Sequence, residues 1–531
     1  MKQIPTSTKV SGSLDPSSTA TIVASEPLKP LRDLSPTSAR QAAHSVDEFS
    51  TSSANPRNWS RSKKWRISLT VAVTGFISTA GSSIGVPGIH AVMDQFGVTN
   101  EKIGVLITTF YVLGLGCGPF LFAPISELYG RQTAYLISLC CYSLFSIGTA
   151  LSQNMVSLVV LRFFCGVFGS SGPALGVATI ADIWAPEERG RPLSIYAIGP
   201  MAGPVLGSVI GYFLLLSGDW RWLFWTITIL SMINLALFIV LTEETFASTI
   251  QKVLVYRAHH PLDPSTSVAS KISPKRILHD LGWMRAMVSA ADAREVFGRA
   301  FSRPPRLLFT NPVAFMFSAY YAYIYAIIYV FLVCIPLLYG SPPFSHSGLF
   351  SYGWPQVTLS LAYLGTAIGF AIAVVIAANA QDRIYKYLKK RNGDENGGQP
   401  EYRLVLTQIG MILMPIGLLI FSWTAHAETH WIGPQIGQVL IGLGLMLAFN
   451  SIQNFIVDAF FPYSAAAVAG ATALRSVLAC ILPEFSTDLF ANLGWGWGGT
   501  LLALVALLAV PAPSIMFICG QRLREKFKFE G

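Results

Sequence analysis

Arg162 stands in the run Leu158-Val159-Val160-Leu161-Arg162-Phe163-Phe164-Cys165-Gly166, a charge enclosed by apolar residues. A cation at that depth in hydrocarbon needs a partner or a watery cavity, unless it snorkels to the interface. Once placed, it can favour the ionised form of a nearby carboxyl or hold an anionic substrate. Glu484 is a second intramembrane charge, in Leu482-Pro483-Glu484. Kept protonated by burial it could carry a hydrogen ion; at the outer interface beside Asp488 it would be idle. Arg475 lies nine residues before Glu484, on the opposite face of a straight helix, a constraint that Pro483 relaxes.

Three further constellations could serve movement and binding. In Gly118-Pro119-Phe120-Leu121-Phe122-Ala123-Pro124-Ile125-Ser126-Glu127-Leu128-Tyr129-Gly130-Arg131, Glu127 and Arg131 are four residues apart, the spacing of an ion pair on one side of a helix end. They can pair with each other, or bond to a neighbouring helix's terminus, in one conformation and release in another. Gly199, Gly203, Gly207 and Gly211 recur every fourth residue and make a stripe without side chains, suited to close helix contact, while Pro200 and Pro204 bend the helix. Tyr321, Tyr325 and Tyr329 form a row of rings with hydroxyl handles, able to hold an amphipathic organic molecule or simply to pack. Asn450, Gln453 and Asn454 share one helical face, and Gln438 precedes them; neutral polar groups in lipid turn inward, toward other helices or the cavity, which makes Gln438, Asn450 and Asn454 candidate cavity residues beside Tyr321 and Tyr325.

These residues must be positioned by membrane helices. The chain of 531 residues is 52% hydrophobic and only 12% charged, about half the charge of an average soluble protein. Twelve apolar stretches approach the length of about 20 residues that crosses a bilayer. They fall at 67–89, 103–123, 134–151, 155–180, 192–216 and 222–241, then at 312–338, 357–378, 404–423, 431–455, 465–487 and 497–519. The expected fold class is an all-α polytopic membrane protein, twelve helices in two six-helix halves around a substrate path. The expected division is a disordered tail (1–64), a first half (65–242), a central loop (243–310), a second half (311–520) and a short tail (521–531).

Charge sets the orientation. With the N-terminus inside, 33 of the 37 Lys and Arg fall in cytoplasmic segments and only Lys102 and Arg221 in external loops. The net charge of +9 thus marks topology, not a nucleic-acid surface. Residues 275–300 could form an amphipathic helix on anionic lipid or a solvated linker. Asn58-Trp59-Ser60 is a glycosylation sequon on the cytoplasmic side, hence unused. The seven cysteines lie in apolar spans without metal or disulfide spacing. No Walker sequence is present, His259, His260 and Asp263 lack acyltransferase spacing, and no nucleophile, base and metal converge. An enzyme, a cofactor and a metal are therefore not expected.

The Glu127–Arg131 stretch resembles the signature loop of the major facilitator superfamily, in the form used by fungal twelve-span drug:proton antiporters, with Ala123 for the leading Gly and Leu128 for the usual basic residue. The resemblance extends through Arg162 and the charged loop Asp182-Ile183-Trp184-Ala185-Pro186-Glu187-Glu188-Arg189-Gly190-Arg191. Its sharpest part is Gly199-Pro200-Met201-Ala202-Gly203-Pro204-Val205-Leu206-Gly207-Ser208, which is similar to the antiporter motif. It implies a gating switch at Glu127, Gly130, Arg131, Asp182 and Arg189, proton coupling through Arg162, and export driven by inward proton flow. The implied protein is a monomer in the plasma membrane, with both termini cytoplasmic. Its partners would be protons, the lipid bilayer and a small organic substrate such as a secondary metabolite, toxin or drug. Relatives often carry a Glu before the residue matching Pro336. Here Leu332-Val333-Cys334-Ile335 has none, which weakens a polycation reading. An organic-acid or polyamine carrier of the same fold, or a sensor that no longer transports, are the alternatives.

Overall fold

The computed structural model describes residues 51–185, 188–216, 218–259, 290–342, 348–393, 399–460 and 463–527. The expectations for residues 1–50, and for the part of 275–300 that precedes residue 290, lie outside the described residues. The chain divides into residues 1–58 and 59–531. In the first unit, the described residues form a turn at Pro56–Asn58, with Asn58 Nδ2 donating to the Ser52 carbonyl at 3.0 Å.

Among the described residues, twelve helices are long and apolar enough to cross a bilayer. They are α1 (Arg61–Phe96), α2 (Glu101–Tyr129), α3 (Arg131–Ala150), α4 (Met155–Ile183), α5 (Arg191–Leu215), α6 (Arg221–Leu241), α7 (Pro312–Tyr339), α8 (Ser360–Asn392), α9 (Pro400–His426), α10 (Ile432–Ala459), α11 (Ala466–Glu484) and α12 (Ser486–Gly520). The spans read from hydropathy are shorter at two informative places. Helix α1 begins at Arg61, not 67, because Ser60 caps it and its basic first turn is satisfied: Lys63 Nζ pairs with Glu243 at 2.6 Å and lies over the Trp59 ring. Helix α12 begins at Ser486, not 497. Asp488 starts it as a favourable acid in the first turn, and the helix bends at Gly494, whose φ of 70° suits glycine.

Helix α5 lies along α1, and α11 along α7. The halves meet where α2 runs along α11 and α5 along α8. Helix α7 is the most enclosed span, 89% buried over its apolar window, whereas α12 is 33% buried. Leu144, Val240, Leu508 and Ile518 stand bare on the sides. A soluble monomer seldom exposes so much apolar surface, and hydrocarbon is the solvent that suits it.

The central segment is more than a tether. Helix Ala290–Thr310 packs against α2, α7 and α11 at the end of the bundle that carries Arg131. Phe301 stacks on Phe120 with centroids 5.8 Å apart, and Pro304 faces Gly470 of α11.

Candidate functional site

The site begins where α1 stops being regular. Its first segment ends at Ser83, and the chain passes through a 3-10 turn, Val86–Gly88, before resuming. The last carbonyls of a helix segment lack intrahelical donors and carry partial negative charge. Arg162 of α4 supplies donors to two of them: Nη2 donates to the carbonyls of Gly81 at 2.7 Å and Ser82 at 3.1 Å. Its Nε donates to Ile107 of α2 at 2.9 Å. The rings of Tyr111 and Phe224 flank the guanidinium, 4.4 and 5.3 Å from its carbon. Glycine makes this approach possible, since a side chain at Gly166 of α4 would collide with the Tyr111 carbonyl of α2. Arg162 is only 2% exposed, so the snorkelling alternative is not the arrangement found.

A chain of contacts leads from Arg162 into the second half. Ser82 Oγ and the Tyr329 hydroxyl are hydrogen-bonded at 2.9 Å, and the Tyr329 and Tyr325 hydroxyls are 3.3 Å apart. The Tyr325 ring lies 4.5 Å from the guanidinium of Arg475. Arg475 Nη1 donates to the Tyr321 hydroxyl at 2.9 Å, and Phe449 of α10 stacks on Tyr321 with centroids 4.4 Å apart. The Tyr321 hydroxyl also reaches Gln453 Oε1 at 3.5 Å. Thus Tyr321 and Tyr325 come together, as their spacing suggests, around a buried cation.

Asn450 and Asn454 are half-buried, and neither side chain has a hydrogen-bond partner among the described residues. Gln438 is elsewhere. Twelve residues from Asn450, about 18 Å of helix rise, it is fully buried between α8 and α10 and accepts from Thr366 Oγ1 at 3.3 Å.

The α2–α11 seam carries Glu484. Glu484 Oε1 accepts from Thr109 Oγ1 of α2 at 2.8 Å. At the same end Lys102 Nζ pairs with Asp488 at 2.7 Å and lies over the Phe485 ring. Nearby, a cavity of about 50 Å³ is bounded by His90 and Glu101 from the first half and Val333 and Pro336 from the second. That is room for water, not for an organic molecule. Both halves are therefore in contact at this end.

The glycine stripe is the α1–α5 contact. A Cβ on Gly199 would meet the Ala72 carbonyl, on Gly203 the Thr79 hydroxyl and Ala80 nitrogen, on Gly207 the Ala80 carbonyl, and on Gly211 the Ile84 carbonyl. Pro200 lies against Gly75 of α1, and Pro204 is buried within α5.

At the opposite end, of the two alternatives for Glu127 and Arg131 the mutual pair is not formed. Helix α2 ends at Tyr129, and Gly130 takes φ 92°, which breaks the four-residue register before α3 starts. Glu127 is exposed. Arg131 instead donates from Nε to Asp182 of α4 at 3.1 Å and from Nη1 to Ser126 at 2.6 Å. Arg189 Nη2 donates to the Ala181 carbonyl at 3.1 Å, near the end of α4. The residue that sequence reasoning missed here is Glu244. Its carboxylate accepts from the backbone N–H groups of Arg131, Gln132, Thr245 and Phe246 at 2.8–3.1 Å, capping α3. Burial raises the Glu244 carboxyl above the ordinary range, and these four donors oppose the rise.

The second half repeats the device. Arg403 Nε donates to Asp458 at 3.1 Å and its guanidinium lies 4.5 Å from the Tyr385 ring.

The comparisons agree with this architecture. The profile of the Major Facilitator Superfamily matches residues 71–483. The chain is 32% identical to "Efflux pump radE" of Floropilus chiversii, over 90% of this chain and 84% of that protein. It is also 32% identical to "MFS-type transporter penM" of Penicillium rubens, over 90% and 88%. Among solved structures, the proton:xylose symporter XylE of E. coli superposes with a TM-score of 0.56 at 15% identity, covering 87% of this chain and 96% of that one. The matched stretch runs from within α1 to the end of α11: this is a multi-pass membrane protein that belongs to the Major Facilitator Superfamily.

Proposed function

We propose that the protein exports a small organic molecule, a secondary metabolite, toxin or drug, in exchange for protons entering the cell. The observation that carries this reading is the contact chain Arg162–Ser82–Tyr329–Tyr325–Arg475, which ties the two halves together near the middle of the bundle. Alternating access requires the halves to part at one end and close at the other about such a centre. The charge asymmetry of the loops supports an orientation with both termini cytoplasmic, so that the Lys102–Asp488 end faces outward. On this reading residues 65–242 and 311–520 are the moving halves, joined by the loop 243–310, in a monomer of the plasma membrane.

Several of the predicted residues then have a task. Glu484 takes up a proton at the outward end, and neutralising it weakens its hold on Thr109. Arg162 keeps α1, α2 and α4 aligned beneath it and biases the titration of the site. Arg131, Asp182, Gly130 and Arg189 lock the cytoplasmic end of the first half. The stripe from Gly199 to Gly211 lets α5 slide on α1 without side chains in the way. Export is supported by the names of the relatives, an efflux pump among them.

The test is flux. Purified protein in sealed vesicles should move cargo, drawn from an extract of the producing cells, when a pH difference is imposed, and the movement should collapse when an ionophore removes that difference. Cargo movement indifferent to the gradient would sink the coupling, and no movement of any compound would sink export.

A further inference from the structure

The two buried arginines are not equivalent. Arg162 spends Nε and Nη2 on three backbone carbonyls, so its donors hold the fold. Among the described residues Arg475 makes one hydrogen bond, to the Tyr321 hydroxyl, and its Nε has no partner although the residue is 9% exposed. No ion pair among the described residues includes it. What surrounds it is flat and aromatic: the rings of Tyr321, Tyr325 and Phe449 lie 5.4, 4.5 and 5.5 Å from its guanidinium carbon. Three helices, α7, α10 and α11, bring these groups together. The amides of Asn450 and Asn454, without hydrogen-bond partners, share α10 with Phe449.

We infer that Arg475 anchors a binding subsite for a flat aromatic organic anion, whose carboxylate or phenolate meets the guanidinium while its ring stacks among Tyr321, Tyr325 and Phe449. The inference rests on the export reading for the identity of this region as the cargo path, and names its substrate class. A guanidinium with an unused donor in a buried site offers a carboxylate a charge-assisted hydrogen bond. The ring walls then accept the aromatic body edge-on or offset-stacked. The same permanent charge excludes polyamines, since like charges repel most where water is absent. Arg475 was legible only as an arginine opposite Glu484; its aromatic setting comes from two other helices.

The probes are 2-naphthoate and 6-hydroxy-2-naphthoate, their methyl esters, and 2-naphthylmethylammonium. They are titrated against the purified full-length protein in lipid nanodiscs by fluorescence. The acids should bind about ten- to a hundredfold more tightly than their esters, and the ammonium compound should not bind. Arg475→Gln should bring acid and ester to equal affinity. Arg475→Lys, which keeps the charge but loses the planar fork, should retain part of the preference and serves if the Gln variant does not fold. Equal affinity of acid and ester for the unaltered protein, a preference that survives Arg475→Gln, or failure of every acid to bind would overturn the inference. The two readings fail separately. Vesicles that move cargo on a pH difference without favouring anions sink this inference alone. Anion binding without movement of any compound sinks export and leaves the site standing.

Discussion

Ser82 and Tyr329 are hydrogen-bonded at 2.9 Å across the boundary between the two six-helix halves. Ser82 also lends its carbonyl to Arg162, so one residue at the frayed end of the first segment of α1 touches both the buried cation of its own half and the central helix of the other. Any separation of the halves at the Lys102–Asp488 end must stretch this contact.

Tyr329→Phe removes the hydroxyl and leaves the ring. One hydrogen bond is worth about 1 kcal/mol, so the open form at this end should gain roughly fivefold in population. Spin labels at the exposed positions Thr99 and Asn492 report the distance directly. An unchanged distance distribution would count against the contact as a latch.

Arg162→Ala leaves three carbonyls without their donor and two rings without the cation between them. Unpaired buried polar groups are costly, and the expected loss is about 3 kcal/mol or more. The variant should reach the membrane yet melt earlier in detergent, and pH-driven efflux should vanish. Normal efflux would remove Arg162 from the coupling.

Gly203 should tolerate nothing larger. A methyl already collides with Thr79 on α1, and an isobutyl group would force α5 away from α1. Transport rates should fall in the order Gly, Ala, Leu, with Gly203→Leu near zero at equal protein in the membrane. Wild-type flux from Gly203→Leu would refute the sliding contact.

The two Arg–Asp pairs should differ in strength. Arg131 and Asp182 are 13% and 21% exposed at the side chain, Arg403 and Asp458 23% and 37%. Water screens the second pair more, so double-mutant cycles on thermal stability should give about 1 kcal/mol of coupling for the first and less for the second. Equal values would mean that burial does not set their strength.

Glu244 gives a pH prediction with a definite sign. Its carboxyl is raised in the fold by burial, so the folded protein holds this proton more tightly than the unfolded chain does. That contribution is fully present below about pH 4.3, the ordinary value for Glu, and fades as pH rises through the raised folded value. Melting temperatures of wild type minus Glu244→Gln should therefore fall as pH rises through this window, and a flat difference would refute the buried-carboxyl account.

Helix count and class were legible because hydropathy over a span is a sum, insensitive to any one residue. The α1–α5 contact was legible too, because glycines four apart have one geometric meaning in a helix. Arg162 was read as needing partners, but not which, since backbone carbonyls have no signature in a sequence. Of the two readings of the Glu127–Arg131 spacing, the mutual pair fails because the left-handed backbone of Gly130 ends the helical register, while Arg131 turns to Asp182 near the end of α4. Gln438 looked like a group aimed at the cavity. Its place between α8 and α10 depends on Thr366, seventy-two residues away, which no local pattern reveals.

The helix Ala290–Thr310 has one further consequence. It arrives with the second half of the chain, yet its Phe301 rests on Phe120 of α2. A gene cut between residues 260 and 289 would thus yield two polypeptides that already own a handle for finding each other. On the proposed export reading, each turnover would have to lift or carry that handle, which makes the helix Ala290–Thr310 a brake on motion.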